Sequence, residues 1–505
     1  MKASSGGAPM LERPFPTALT FLLGLLVAVA TAPEASASGG YFAGTKGARA
    51  AGRGGAFVAK ADDLSAAVSN PAGLAKLDAA LLQVGNRFSY NALSYTRAPT
   101  LDYGNLQNGT APLVSFQRVD NDRPYQLLDP LLGIASNLGL RNWAFAVLAY
   151  APPGISREAF SMGGGQRYMM VSREAVILAY AASVAWRHDD TFGIGATLEW
   201  IHVPRLIYSL IIDGSPFPGD ANPVSSELDM KATATGSDPF TFNAILGAWF
   251  RPVPRIELGV SGQIVPAEIV TNSTLSIQPV TPGIEGTVLL TRDGVPANDV
   301  TVHLPLPLLA RAGARYRGLQ DGRERFDIEL DVEYETWSRV GRFRLETNGI
   351  QGNLGGQFIN IGRIDIEKHW RDTVAVRLGG DYALLPEQCT LRAGLYYETA
   401  VADESYAHVD FPSGQQLGAA LGTSLRLGKK MELAAAYELR LQPTVSVAEA
   451  NARVYQEAPG SQCQAPYTDP ITCNPNYLGQ PSPAINAGRY QAQSHSISID
   501  VLYRF

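Results

Sequence analysis

The chain has 505 residues, 41 Lys and Arg against 47 Asp and Glu, and a formal net charge of −6. This acidic balance leaves no basic stripe for a nucleic-acid partner. Hydrophobic residues at 46% and a mean hydropathy of −0.03 suit a soluble protein. They suit a membrane barrel equally, because only alternate residues of each strand face lipid there, so periodicity has to decide.

The chain opens like an exported protein. Lys2 and Arg13 precede a short apolar run, Thr17 to Ala32, and Ala35-Ser36-Ala37 offers a cleavage site. This reads as a signal peptide over 1–37. The alternative, a membrane anchor, needs about 20 apolar residues. Residues 38–78 are small and Gly-rich, with a short helix expected from Asp62-Asp63 through Val68 and stopped by Asn70-Pro71.

From Leu81 onward, segments of period two recur. Phe326 to Tyr334 places Phe326, Ile328, Leu330, Val332 and Tyr334 on one face, with Asp327, Glu329, Asp331 and Glu333 on the other. Thr301 to Arg317 alternates likewise as one strand. Its apolar face runs from Val302 and Leu304 through Ala310 to Tyr316, and His303, Arg311 and Arg315 point opposite. Joined by the polar turn 318–324, the two should pair, with Arg311 and Arg315 facing the carboxylates across the sheet. We read this ladder as structural.

The other candidate strands are 81–96, 131–138, 143–150, 167–186, 192–210, 241–250, 256–270, 373–384, 390–399, 417–427, 431–441 and 491–505, about fourteen in all. Short polar connections alternate with long ones at 211–240, 271–300, 338–372 and 442–490. That alternation is the pattern of an outer-membrane barrel, with short periplasmic turns and long extracellular loops. The last strand carries Ile497, Ile499, Val501, Tyr503 and Phe505 on one face, and a strand ending on an aromatic is similar to the closing strand of such barrels. After the strand 143–150, Tyr150-Ala151-Pro152-Pro153-Gly154 removes ladder donors. The segment reads as a candidate lateral gate or as an ordinary loop start. Cys463 and Cys473 lie ten apart in an exported chain and are expected to form a local disulfide; two idle thiols are the alternative. Cys389 is assigned no role.

Catalytic patterns do not emerge. There is no G-x-S-x-G, H-E-x-x-H or C-x-x-C, and the six His are scattered singly. The run Met162-Gly163-Gly164-Gly165-Gln166 lacks the Lys-Ser/Thr of a phosphate loop, and Gly52-Arg53-Gly54-Gly55 lacks a preceding strand. No enzyme activity, metal or cofactor is expected.

A specific resemblance rests on several segments. GTKGARAAGRGGAFVAKADDLSAAVSNPAGLA (44–75), with its Asn70-Pro71-Ala72, resembles the hatch of the FadL/TodX family. LPLP (304–307) with Gly313 and Tyr316, DVEYETWS (331–338), and 370–405 resemble later strands of that family. The resemblance implies an all-β transmembrane barrel of about 14 strands (79–505), plugged by an N-terminal hatch (38–78) that includes Phe57, Asn70, Pro71 and Ala72. It implies passive transport of long-chain fatty acids or aromatic hydrocarbons across the bacterial outer membrane. Ligand would enter from outside, reach a pocket above the hatch and leave sideways into the bilayer. The expected surroundings are outer-membrane lipid and lipopolysaccharide, with the assembly machinery during biogenesis, and the expected state is a monomer. The long 442–490 loop with its Cys pair departs from the family and keeps a second reading open, a structural or adhesin-like barrel whose loops bind extracellular partners.

Overall fold

Alternation of lipid-facing and lumen-facing side chains builds fourteen antiparallel staves. The computed structural model describes residues 45–101, 112–152, 157–213, 229–280, 288–354, 357–361, 364–411, 414–455 and 484–505. Numbered along the chain, β1 is Leu81–Arg97, β2 Pro130–Ser136, β3 Trp143–Tyr150, β4 Ser172–His188, β5 Phe192–Asp213 and β6 Asp229–Val253. The next four are each in two pieces: β7 is Ile256–Gln263 and Glu268–Pro279, β8 Asp299–Pro305 and Leu309–Gln320, β9 Arg323–Glu335 and Arg342–Glu346, and β10 Ile364–Glu367 and Thr373–Leu385. Then follow β11 Cys389–Glu398, β12 Gln416–Leu427, β13 Met431–Val447 and β14 Gly488–Arg504. Consecutive staves pair, and β14 returns to β1 from Leu81↔Arg504 to Arg97↔Gly488. Closure leaves the sheet without an edge, the condition for strands in lipid.

Short turns lie at one end. Between β8 and β9, Asp321 and Gly322 have φ of 50° and 73°, positive at both central residues as a tight hairpin requires. Long loops lie at the other end. Outward-facing aromatics form two girdles. Trp143, Phe250 and Tyr316 sit near the turns, and Tyr90, Tyr180, Trp200 and Tyr437 lie higher.

Several strand limits differ from the sequence reading. β6 begins at Asp229, inside the stretch assigned to a loop, because its first residues alternate only small and polar groups. The expected helix shortens to Ala66–Ser69 (α2), preceded in the lumen by α1, Ala48–Ala51. The stretch 167–171 is not the start of β4. With residues 160–166 it folds back into the extracellular end of the lumen, burying Tyr168, Met169 and Met170.

The largest correction concerns β8. Its interruption at Leu306-Pro307-Leu308 slips the alternation by one residue. Below it Ala310, Ala312 and Ala314 are exposed while Arg315 is buried. Above it Val302 and Leu304 line a lumen cavity. His303 therefore turns away from the lumen, 3.4 Å from Glu268. The segments 1–44 and 456–483, with Cys463 and Cys473, lie outside the described residues, as do Pro153 and Gly154.

Candidate functional site

The hatch is built from residues too small to hold the wall apart. Along 45–77 the backbone lies against glycines of successive staves: Gly195, Gly247, Gly259, Gly313, Gly379, Gly394 and Gly422. At most of these a Cβ would overlap hatch backbone. β9 presents carboxylates instead of glycine. Asp331 Oδ2 accepts from the Phe57 and Val58 amides at 2.7 and 2.9 Å, and Glu329 Oε1 accepts from the Ala59 amide at 2.6 Å. Arg53, fully buried, reaches Asp327 (2.6 Å), Glu329 (2.9 Å) and Asp381 (2.5 Å). Burial opposes its charge, but those three carboxylates more than offset it and raise the guanidinium well above its ordinary value. Lys60 adds Asp327 at 2.8 Å.

The ladder read from sequence is thus divided. Arg311 meets Glu333 across the sheet at 2.6 Å. Arg315 reaches Asp327 at 2.9 Å and Glu257 at 2.8 Å. Glu329 and Asp331 serve the hatch. Arg53 went unnoticed in the sequence because a lone Arg in a glycine-rich stretch looks like a solvated charge.

Asn70 stands in extended backbone, φ −157° and ψ 97°, before the 3₁₀ turn Pro71–Lys76. Its Nδ2 donates to Val58 O at 2.8 Å and to Ala248 O of β6 at 3.0 Å. Trp249 Nε1 donates to Ala72 O at 3.0 Å. The triplet therefore ties the plug to itself and to the wall.

Above the hatch lies an apolar cavity of about 920 Å³, its mouth included, lined by Ala175, Leu206, Ala232, Leu275, Leu304 and Phe343 among others. Pockets for drug-sized ligands span about 300–1,000 Å³. Its polar corner is Arg173. The guanidinium is held by Glu158 at 2.8 and 3.0 Å and stacks 3.9 Å from the centroid of Phe411. The buried Nη1 has no hydrogen-bond partner among the described residues. Beside it Trp370 meets Phe343 and Trp337 edge to face, with centroids 5.6 and 5.2 Å apart. Below the hatch, on the short-turn side, is a charged recess of about 810 Å³ lined by Arg49, Lys60, Asp62, Glu324, Asp381 and Arg392 among others.

The wall is incomplete at one place. β3 ends at Tyr150, and among the described residues 174–178 of β4 have no partner on the β3 side. Tyr150 turns inward, its hydroxyl donating to Glu199 Oε1 at 2.5 Å, while Asn243 Nδ2 donates to Glu199 Oε2 at 2.6 Å. Pro152 is buried next to this end. Outside lies a shallow apolar furrow lined by Leu132, Ala149, Tyr180, Ala182, Leu198 and Trp200 among others.

A closed fourteen-stave barrel with a filled lumen, an apolar cavity and aromatic girdles defines an integral outer-membrane transport protein. The chain belongs to the outer membrane protein transport protein family (OMPP1/FadL/TodX), whose model matches residues 26–469. Its fold is similar to a Pseudomonas aeruginosa FadL homologue, with TM-score 0.69 and 18% identity over 92% of this chain and 100% of that one. The P. putida toluene transporter TodX gives 0.62 and 13% over 91% and 99%. The Ralstonia pickettii toluene transporter TbuX gives 0.57 and 14% over 91% and 98%. No curated protein sequence matches the chain. The protein is thus an outer-membrane transporter of hydrophobic compounds.

Proposed function

We propose that the cargo is a long-chain fatty acid and that it leaves sideways past Tyr150 into the bilayer. The observation that carries the cargo class is Arg173 Nη1, a buried unpartnered donor in a cavity otherwise apolar. A carboxylate would satisfy it with a charge-assisted hydrogen bond, and the alkyl chain would fill the remaining space. Aromatic hydrocarbons are the second reading, supported by the edge-to-face rings of Trp337, Trp370, Phe343 and Phe411.

Sideways exit follows from what lies below. A straight path crosses the hatch and then the charged recess, where apolar transfer is lost at about 0.8 kcal/mol per CH₂. Lipid beside the wall is the better sink. The working unit on this reading is a monomer carrying out transport without catalysis. Lipopolysaccharide surrounds its outer half, and the barrel-assembly machinery inserts it.

Uptake of radiolabelled oleate by a deletion strain carrying the gene tests the reading. Wild type should restore uptake. Arg173→Met should weaken oleate binding by the purified protein about tenfold, as expected for one charge-assisted bond, and leave toluene binding unchanged. Restoration of toluene but not oleate uptake would reassign the cargo. Adhesion without uptake of either would favour the extracellular-binding reading.

A further inference from the structure

The hatch is anchored asymmetrically. Its ionic contacts to β7, β9 and β10 are many: Lys76 to Glu257, Arg53 to Asp327, Glu329 and Asp381, and Lys60 to Asp327. Toward β1–β3 a buried ion pair joins hatch and wall, Lys46 with Asp129, both nearly inaccessible. Asp129 is the residue before β2. Its carbonyl accepts from the Arg87 amide at 3.1 Å, and its own amide donates to Asn86 Oδ1 at 3.0 Å, so its backbone is fixed to β1. Lys46 also stands 6.0 Å from the ring centroid of Tyr150, the last residue of β3. Arg87 Nη2 donates to Thr45 O at 2.6 Å. One lysine therefore touches the plug, the root of β2 and the end of β3, where β4 lacks a partner among the described residues.

We propose that Lys46 is the positioning residue for passage: its ion pair with Asp129 closes the opening beside Tyr150 from inside and must separate each time cargo leaves. This rests on the fatty-acid and lateral-exit reading above. The ionic anchors on the opposite wall let this end of the hatch move without releasing the plug. Because ion pairs in a buried setting are costly to break one-sidedly, the pair resists idle opening. Removing both charges together should loosen the closure without leaving an orphan charge.

Two variants test it. In Lys46→Cys/Asp129→Cys, a short bis-methanethiosulfonate reagent should join the two thiols, with peptide mapping to distinguish them from Cys389, Cys463 and Cys473. Oleate uptake should fall at least tenfold on bridging and return with reductant, while heat-modifiability and oleate binding to the purified protein stay unchanged. In Lys46→Met/Asp129→Leu, uptake should rise two- to threefold with the barrel intact. Uptake by the bridged protein equal to its reduced form overturns the proposal. An uptake rate in the charge-free variant equal to wild type overturns the part played by the ion pair. Wild type that carries no oleate overturns the cargo reading and this proposal with it, an outcome distinct from normal wild-type uptake that bridging leaves unaffected.

Discussion

Gly52 of the hatch and Gly422 of β12 face one another with no side chain on either, and a Cβ on one would stand 2.9 Å from the Cα of the other. Neither backbone can retreat, since one belongs to α1's C-cap and the other to a paired stave. Gly422→Val should therefore displace the hatch rather than the wall, at a cost of about 1–3 kcal/mol for overpacking. Planar-bilayer recordings should show new ion conductance, while the barrel stays heat-modifiable. Wild-type silence would mean the contact is slack.

Asn70→Ala leaves the Val58 and Ala248 carbonyls without their side-chain donor. Each buried group that loses its partner costs about 1–3 kcal/mol. Oleate uptake should drop severalfold with unchanged barrel assembly, and hydrogen exchange should quicken at residues 56–60 and 70–73. Exchange as slow as in wild type would show that water replaces the amide fully.

Acid should loosen the plug through Asp62. Burial would raise this carboxyl, but Arg49 and Lys60 hold it below its ordinary 3.8, and Arg49 Nη2 lies 3.1 Å away. A depressed carboxyl stabilises above its unfolded value and loses that contribution as pH falls through the folded one. Asp63, pushed up by burial, acts in the opposite sense. Protease nicking of residues 45–77 should be flat between pH 7 and 4 and rise below 3.8. Asp62→Asn should already be nicked faster at pH 7 and change less on acidification.

Phe505 packs edge-on against Tyr503 at 5.2 Å, and its amide donates to Ala80 O at 3.1 Å. The ring is exposed, so its loss should cost little folded stability. Phe505→Ala should lower the amount of folded barrel in membranes severalfold without altering uptake per folded molecule. Normal levels would remove any assembly role for the ring.

The barrel was legible because a half-buried strand writes its two faces into alternate residues. Phe326 to Tyr334 and Ile497 to Phe505 needed no other information. β8 misled because Leu306-Pro307-Leu308 keeps an apolar alternation in letters while the backbone slips one place, and side-chain identity does not report φ and ψ. The beginning of β6 was missed because Ala232, Thr233, Ala234 and Thr235 carry almost no hydrophobic contrast. Long-range pairs were out of reach for a different reason. Nothing local in Lys46 or Arg53 points to Asp129 or to Asp327, since those contacts arise only when the sheet closes. Asn70-Pro71-Ala72 was visible as a turn with a fixed residue before proline, yet its bond to Ala248 was not.

The plug is the first described segment of the chain and the partners that hold it come late. Ala48 N meets Asp500 Oδ2 across 452 residues, and Arg53 meets Asp327 and Asp381 across 274 and 328. Contacts of such separation form slowly, because the chain between them must be ordered first. During synthesis and export, Lys46, Arg49, Arg53 and Lys60 therefore remain hydrated and uncompensated until β9, β10 and β14 are in place. Docking of this segment is then a clock for completion. A protease that cuts it would discriminate half-built barrels from finished ones, and the time at which cleavage ceases would date the closure of the sheet.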